Sequence, residues 1–220
     1  MSNSIKRNDG FTLIELLVAM AIGLIVMAAI YSSYRTQQKS YILQEQIANM
    51  QQNLRSAMFF MTREIRMAGC DPTNNSGAGI TTFTNSSFGF TMDIRSTAPE
   101  SPYDGDIDDP NENVTYSLYD ADGDGDMDLG RDTGGGNQVI AENIDWLDFE
   151  YLDQNGNPTA TKSGIKSVQI TIVAKTGRDD QGYTNNDGQI FNQQGTRAYT
   201  APSDSNHRKV LNTQIRCRNL

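Results

Sequence analysis

Fifteen consecutive residues near the start of the chain, Leu16 to Ile30, carry no charge, and the residue immediately before them is Glu15. The run from Phe11 to Tyr31 supplies about 20 residues, enough to cross a hydrocarbon core of about 30 Å as a helix. No other feature limits the fold as tightly, because a helix apolar on every side must be surrounded by lipid or protein. The ten residues ahead of it, MSNSIKRNDG, are polar and include Lys6 and Arg7, the positive flank of an exported segment. A secretory signal would end its apolar stretch at a small-residue cleavage site, whereas here the helical pattern continues. Cleavage after the apolar core is not expected.

Further on, Leu43, Ile47, Met50, Leu54, Met58, Met61 and Ile65 recur at steps of three and four, which is one face of an α-helix. Gln44, Gln51, Arg55, Arg63 and Arg66 fall mostly off that stripe, no proline occurs before Pro72, and Gly69 stands where a helix would stop. The pattern predicts one helix from about Phe11 to Ala68, apolar all round in its first half and one-sided in its second. A separate anchor and helix would break near Ser32 to Ser40. The acid at position 15 then needs a reason, since a carboxylate near the bilayer interior costs roughly 2.5–3.5 kcal/mol on insertion scales and normally has a partner or a function.

The stretch Gly10, Phe11, Thr12, Leu13, Ile14, Glu15, followed by the long apolar helix, resembles the class III signal of type IV pilins and type II secretion pseudopilins. The resemblance implies that a membrane-embedded prepilin peptidase cuts after Gly10 and methylates the new amino terminus, Phe11. It implies that Lys6 and Arg7 hold the cut site at the cytoplasmic face of the inner membrane, in keeping with the positive-inside rule. It also implies that Glu15 neutralises the terminal amine of a neighbouring subunit in an apolar bundle, where each charge alone is costly and pairing offsets much of that cost.

Two further stretches, NLRSAMFFMTREIRMAGC and YSLYDADGDGDMDLGRD, resemble PilW-type minor pilins, which share features with the J-class pseudopilins of type II secretion. A mature chain beginning at Phe11 is long for a major pilin. The resemblance implies a non-enzymatic subunit at or near a pilus tip that helps initiate or cap assembly. Its partners would be other minor and major pilins, first in the inner membrane and then at the cell surface. A pseudopilin at a secretion piston tip is the alternative, as is a pilus-borne adhesin or DNA-uptake component.

Beyond Cys70 the composition shifts to turn residues and short alternating runs. Phe88 to Ile94, Val114 to Tyr119, Gln138 to Ala141, Trp146 to Leu152, Ile165 to Ala174 and Val210 to Cys217 read as strands, VQITIVA most clearly. The expected fold class is therefore α+β: a long amino-terminal helix packed on a mostly antiparallel sheet. Its parts are a leader (1–10), an apolar helical half (11–31), an amphipathic half (32–69) and a periplasmic β-rich domain (70–220). STAPESPYDGDIDDPNEN and TGRDDQGYTNNDGQIFNQQG read as long exposed loops. In DWLDFEYLD, Trp146, Asp148 and Glu150 alternate with Leu147, Phe149 and Tyr151 as the two faces of one strand.

The formal charge is −9, which disfavours nonspecific nucleic-acid binding because phosphate affinity rests on clustered Lys and Arg. Cations are the better small partners. In DADGDGDMD, Asp120, Asp122 and Asp124 occupy the first, third and fifth places of an EF-hand-like loop, Gly125 the sixth, Asp126 the seventh through its carbonyl, and Asp128 the ninth. The twelfth place, where a bidentate Glu is expected, is Arg131. The loop is either a calcium site on a sheet or a solvated acidic turn. Cys70 and Cys217, the two cysteines, lack metal-binding spacing and read either as one bridge in an oxidising compartment or as two buried thiols. No catalytic motif is present, and His207, the single histidine, sits in the polar stretch SDSNHRK.

Overall fold

The computed structural model of the chain describes residues 10–95 and 103–220. Lys6 and Arg7 of the leader, and residues 96–102 of the first long linker, lie outside the described residues. The chain divides into two compact units, Met1–Glu45 and Gln46–Leu220. The division falls inside one helix, α1 (Leu13–Ile65).

The first unit contains an apolar helical stretch long enough to cross a membrane, none of it buried. Apolar side chains on all sides of a helix have no favourable exposure to water, so this part needs an apolar surround.

The second unit starts with the remaining turns of α1, which bury Met50, Leu54, Ala57, Met58, Met61 and Ile65. This is the stripe expected from the three-and-four spacing, widened by Ala57. Regular helix stops at Ile65, and a tightened turn follows in which Met67 and Ala68 N–H donate to the Glu64 and Ile65 carbonyls at 2.8 and 3.2 Å. Gly69 then takes φ of +74°. A Cβ there would also sit 2.6 Å from Leu220 Cδ2 and 3.0 Å from the Asn219 carbonyl oxygen, so the site demands glycine twice over.

Two antiparallel sheets receive that stripe. The first is a meander of β1 (Ile80–Phe83), β2 (Ser87–Thr91), β3 (Asn113–Tyr119), β4 (Asp128–Asp132) and β5 (Asn137–Ala141), paired in that order. The second comprises β6 (Ile144–Leu152), β7 (Ser167–Lys175) and, after a hairpin of β8 (Gln189–Phe191) and β9 (Ala198–Thr200), β10 (Arg208–Arg216), in the order β10-β7-β6. The sheets meet at Phe88, whose ring lies 5.4 Å from Phe90, 5.9 Å from Phe149 and 5.5 Å from Tyr151. Tyr151 is anchored by its hydroxyl, which donates to the Thr84 carbonyl at 2.7 Å.

The six expected strands are present, with end shifts of a few residues. β1, β4, β8 and β9 add to them. β4 reads poorly as a strand because Asp128 and Asp132 bound it and Gly130 interrupts it. That glycine is structural, since a Cβ there would lie 2.6 Å from the Tyr119 ring. A larger correction concerns the segment from Thr176 to Gly195, expected as an exposed loop. It buries Asn185 and Asn192, carries β8, and folds back on the second face of β6. Leu147, Phe149 and Tyr151 fill the core as the alternation predicts, yet Asp148 and Glu150 on the other face are only 2% and 9% exposed.

Candidate functional site

At the amino terminus the sequence dictates a helix start. Thr12 is the N-cap: Leu16 N–H donates to the Thr12 carbonyl at 3.2 Å. Glu15 N–H donates to Thr12 Oγ1 at 3.3 Å, while Thr12 N–H and its hydroxyl both donate to Glu15 Oε2 at 2.8 Å. This T-x-x-E arrangement is a capping box, which satisfies otherwise orphaned donors at the first turn. The T-x-x-E spacing is the sequence signal of this box, and it coincides with a charge that an apolar surround makes costly. Gly10, Phe11 and Thr12 precede the helix, and Phe11 is exposed.

The acidic loop follows β3. Asp120, Asp122 and Asp124 each present a carboxylate oxygen, all within 4.8 Å of one another. The loop curls because Gly123 and Gly125 take φ of +79° and +92°, and the Asp120 carboxylate accepts from Gly123 N–H at 2.7 Å and Gly125 N–H at 3.2 Å. Asp126, expected to offer its carbonyl, turns its carboxylate onto Lys175. Asp128 is a correction. It is buried at the start of β4, and its carboxylate accepts from Asn143 N–H at 3.0 Å and Ala121 N–H at 3.4 Å, so it staples the loop to the sheet and does not join the three aspartates.

Arg131 has a different task from the loop position it occupies. Its guanidinium forks onto Glu64 at the end of α1, with Nε at 2.9 and 3.1 Å and Nη2 at 2.9 Å from the carboxylate oxygens. Asn111 Oδ1 accepts from Nη1 and Nη2 at 3.1 Å each, and the Tyr116 hydroxyl donates to Glu64. Burial beside the Glu64 carboxylate holds the Tyr116 phenol above its ordinary range, so it stays a neutral donor. Sequence reasoning missed this cluster, whose members are separated by up to 67 residues.

Of the two readings open for Cys70 and Cys217, the structure has the thiols: both are free. Burial pushes the Cys217 thiol up to about 12. Burial, with Asp93 and Asp71 nearby, raises that of Cys70. Both are thus kept as neutral thiols, poor nucleophiles, and both pack with the apolar core. His207 is not loose either. Its Nε2 lies 3.1 Å from Asp180 Oδ2, and its ring stacks on Tyr183 at 3.8 Å.

Residues 5–31 match the family model of the prokaryotic N-terminal methylation motif, the prepilin signal of type IV pilins. The chain is therefore type IV pilin-like. Among solved structures it is similar to a type IV-like pilin from Thermus thermophilus, at 12% identity and a TM-score of 0.48, covering 77% of this chain and 97% of that one. No curated protein matches its sequence.

Proposed function

We propose that the chain is a non-enzymatic minor pilin that helps initiate or cap a type IV pilus at or near its tip. Prepilin peptidase cuts after Gly10 and methylates Phe11. The subunit waits in the inner membrane with its leader cytoplasmic and residues 70–220 periplasmic, then joins other minor and major pilins. The observation that carries this reading is the methylation motif at residues 5–31 running directly into an apolar helix.

Glu15 is the assembly residue in this reading, and the capping box makes its test sharper. Glu15→Gln retains a side chain that can cap and removes the charge, whereas Glu15→Val removes both. If the carboxylate neutralises a neighbour's amine, both variants lose surface filaments, counted by electron microscopy in cells that depend on this subunit. Wild-type filament numbers with Glu15→Gln would reject neutralisation and leave only capping. Retained filaments with lost protein secretion in a deletion strain would favour the pseudopilin assignment.

The acidic loop is the place for calcium. Asp120, Asp122 and Asp124 bring three hard oxygens together, and carbonyls or waters would supply the rest of the 6–8 that calcium takes. Titration calorimetry should give a dissociation constant of about 0.1–1 mM, abolished by Asp120→Asn with Asp124→Asn. No heat at several millimolar calcium overturns the site.

A further inference from the structure

The second sheet has an open side. β10 pairs with β7 and with no other described strand, over nine residues without a register shift. The direction of its backbone groups follows from both ends of the ladder. Thr176 N–H donates to the His207 carbonyl at 2.9 Å, and Cys217 N–H donates to the Lys166 carbonyl at 3.0 Å. In an antiparallel pair the N–H and C=O of one residue point the same way and alternate along the strand. Lys209, Leu211, Thr213 and Ile215 therefore bond to β7, while Arg208, Val210, Asn212, Gln214 and Arg216 point their backbone groups outward. None of those five has a backbone partner on that side among the described residues.

Open edges invite another strand, and proteins blunt them with proline, bulges, charge or a covering element. β10 has no proline and no bulge, and the six residues from Val210 to Ile215 carry no charge. Its guards are cations only. Residues 207–218 include Arg208, Lys209, Arg216 and Arg218 and no acid, in a chain whose net charge is −9. Arg208 is committed to Asp145 and Asp204, and holds the Asp204 carboxyl down at about 2. Lys209 and Arg216 are exposed and make no ion pair among the described residues.

We propose that the free edge of β10 receives an extended segment of a different polypeptide, carrying one carboxylate opposite Lys209 and another opposite Arg216, which lie on opposite faces of the strand, as a further strand of the β6–β7–β10 sheet. Ladder hydrogen bonds to the five outward residues supply the attachment, and carboxylates facing Lys209 and Arg216 select the partner. A second copy of β10 is disfavoured. Antiparallel pairing about Asn212 sets Arg208 against Arg216, and like charges directly opposite are destabilising. The identity of the partner as a filament subunit rests on the proposed function; the strand addition does not.

Amide hydrogen exchange on the full-length chain in detergent should find Val210, Asn212 and Gln214 fast and Leu211, Thr213 and Ile215 slow; protection of the first set in the lone chain overturns the open edge. In cells, a photo-crosslinking residue at Gln214 should join a segment of another polypeptide with an Asp or Glu on each face of its strand, identified by mass spectrometry. Asn212→Pro should cut that adduct at least tenfold with the melting midpoint unchanged, because the lost N–H is not in the β7 ladder. If Asn212→Pro does not fold, Lys209→Glu with Arg216→Glu should remove the adduct instead. An adduct with a second copy only, with a segment lacking acids, or undiminished by either variant overturns the proposal. An acidic partner that is no filament subunit supports the strand addition and removes the filament reading.

Discussion

Glu64→Ala should destabilise the second unit by about 3–5 kcal/mol, the usual cost of breaking a buried ion pair from one side. The side chains of Arg131 and Glu64 are 11% and 18% exposed, so solvent does little to screen them. Removing the carboxylate strands a guanidinium that had three contacts to it, and leaves the Tyr116 hydroxyl without its acceptor. Asn111 alone cannot compensate a full charge. The effect extends beyond one contact, because Glu64 sits in the last turn of α1 while Tyr116 and Arg131 lie on β3 and β4. The cluster therefore fixes the helix end against the centre of the meander. Chemical denaturation of the full chain in detergent measures the loss, and a value under about 1 kcal/mol would place the pair with ordinary surface salt bridges.

Arg197→Ala should have an effect of the same order, about 3–5 kcal/mol, for a related reason. Arg197 bonds to Asp148 through Nε and Nη2, lies 2.8 Å from Glu150 Oε2, and donates to the Phe149 carbonyl at 2.8 Å. Without it two carboxylates on alternate residues of β6 remain buried, with only Asn192 and Thr196 to donate to them. The β8–β9 hairpin should then lift from β6 and expose Trp146, whose ring now stacks on Tyr199 at 6.1 Å. Trp146 fluorescence reports that step. Adding Asp148→Asn and Glu150→Gln to Arg197→Ala should recover most of the lost stability. A deficit that persists in the triple variant would mean that packing of the arginine stem, and not charge, was lost.

What could be read from the sequence was whatever repeats over short distances. The stripe from Ile47 to Ile65 and the alternation of Leu147, Phe149 and Tyr151 are local periods, and both emerge in the core. The methylation motif is a contiguous string. The clusters that were missed pair residues far apart in the chain, Glu64 with Arg131 and Asp148 with Arg197, and no local pattern records such a pairing. Asp148 and Glu150 mimic a solvated face because alternation marks two sides of a strand without saying what covers the second. The segment through Asn185 and Asn192 looks like loop for the same reason, since its polar side chains are buried against other polar groups. Asp128 fitted a ligand spacing and turned out to hold backbone, a role equally compatible with an acid at that place.

The capping box has a consequence for proteolysis. Helical hydrogen bonding begins at the Thr12 carbonyl, so the peptide link between Gly10 and Phe11 lies outside the helical ladder. Proteases bind their substrates as extended chain, so in the processing proposed above the bond after Gly10 enters an active-site cleft without unwinding any part of the rod behind it. On that same proposal, the Thr12–Glu15 lock marks where extended chain gives way to rigid rod, two residues beyond the cut.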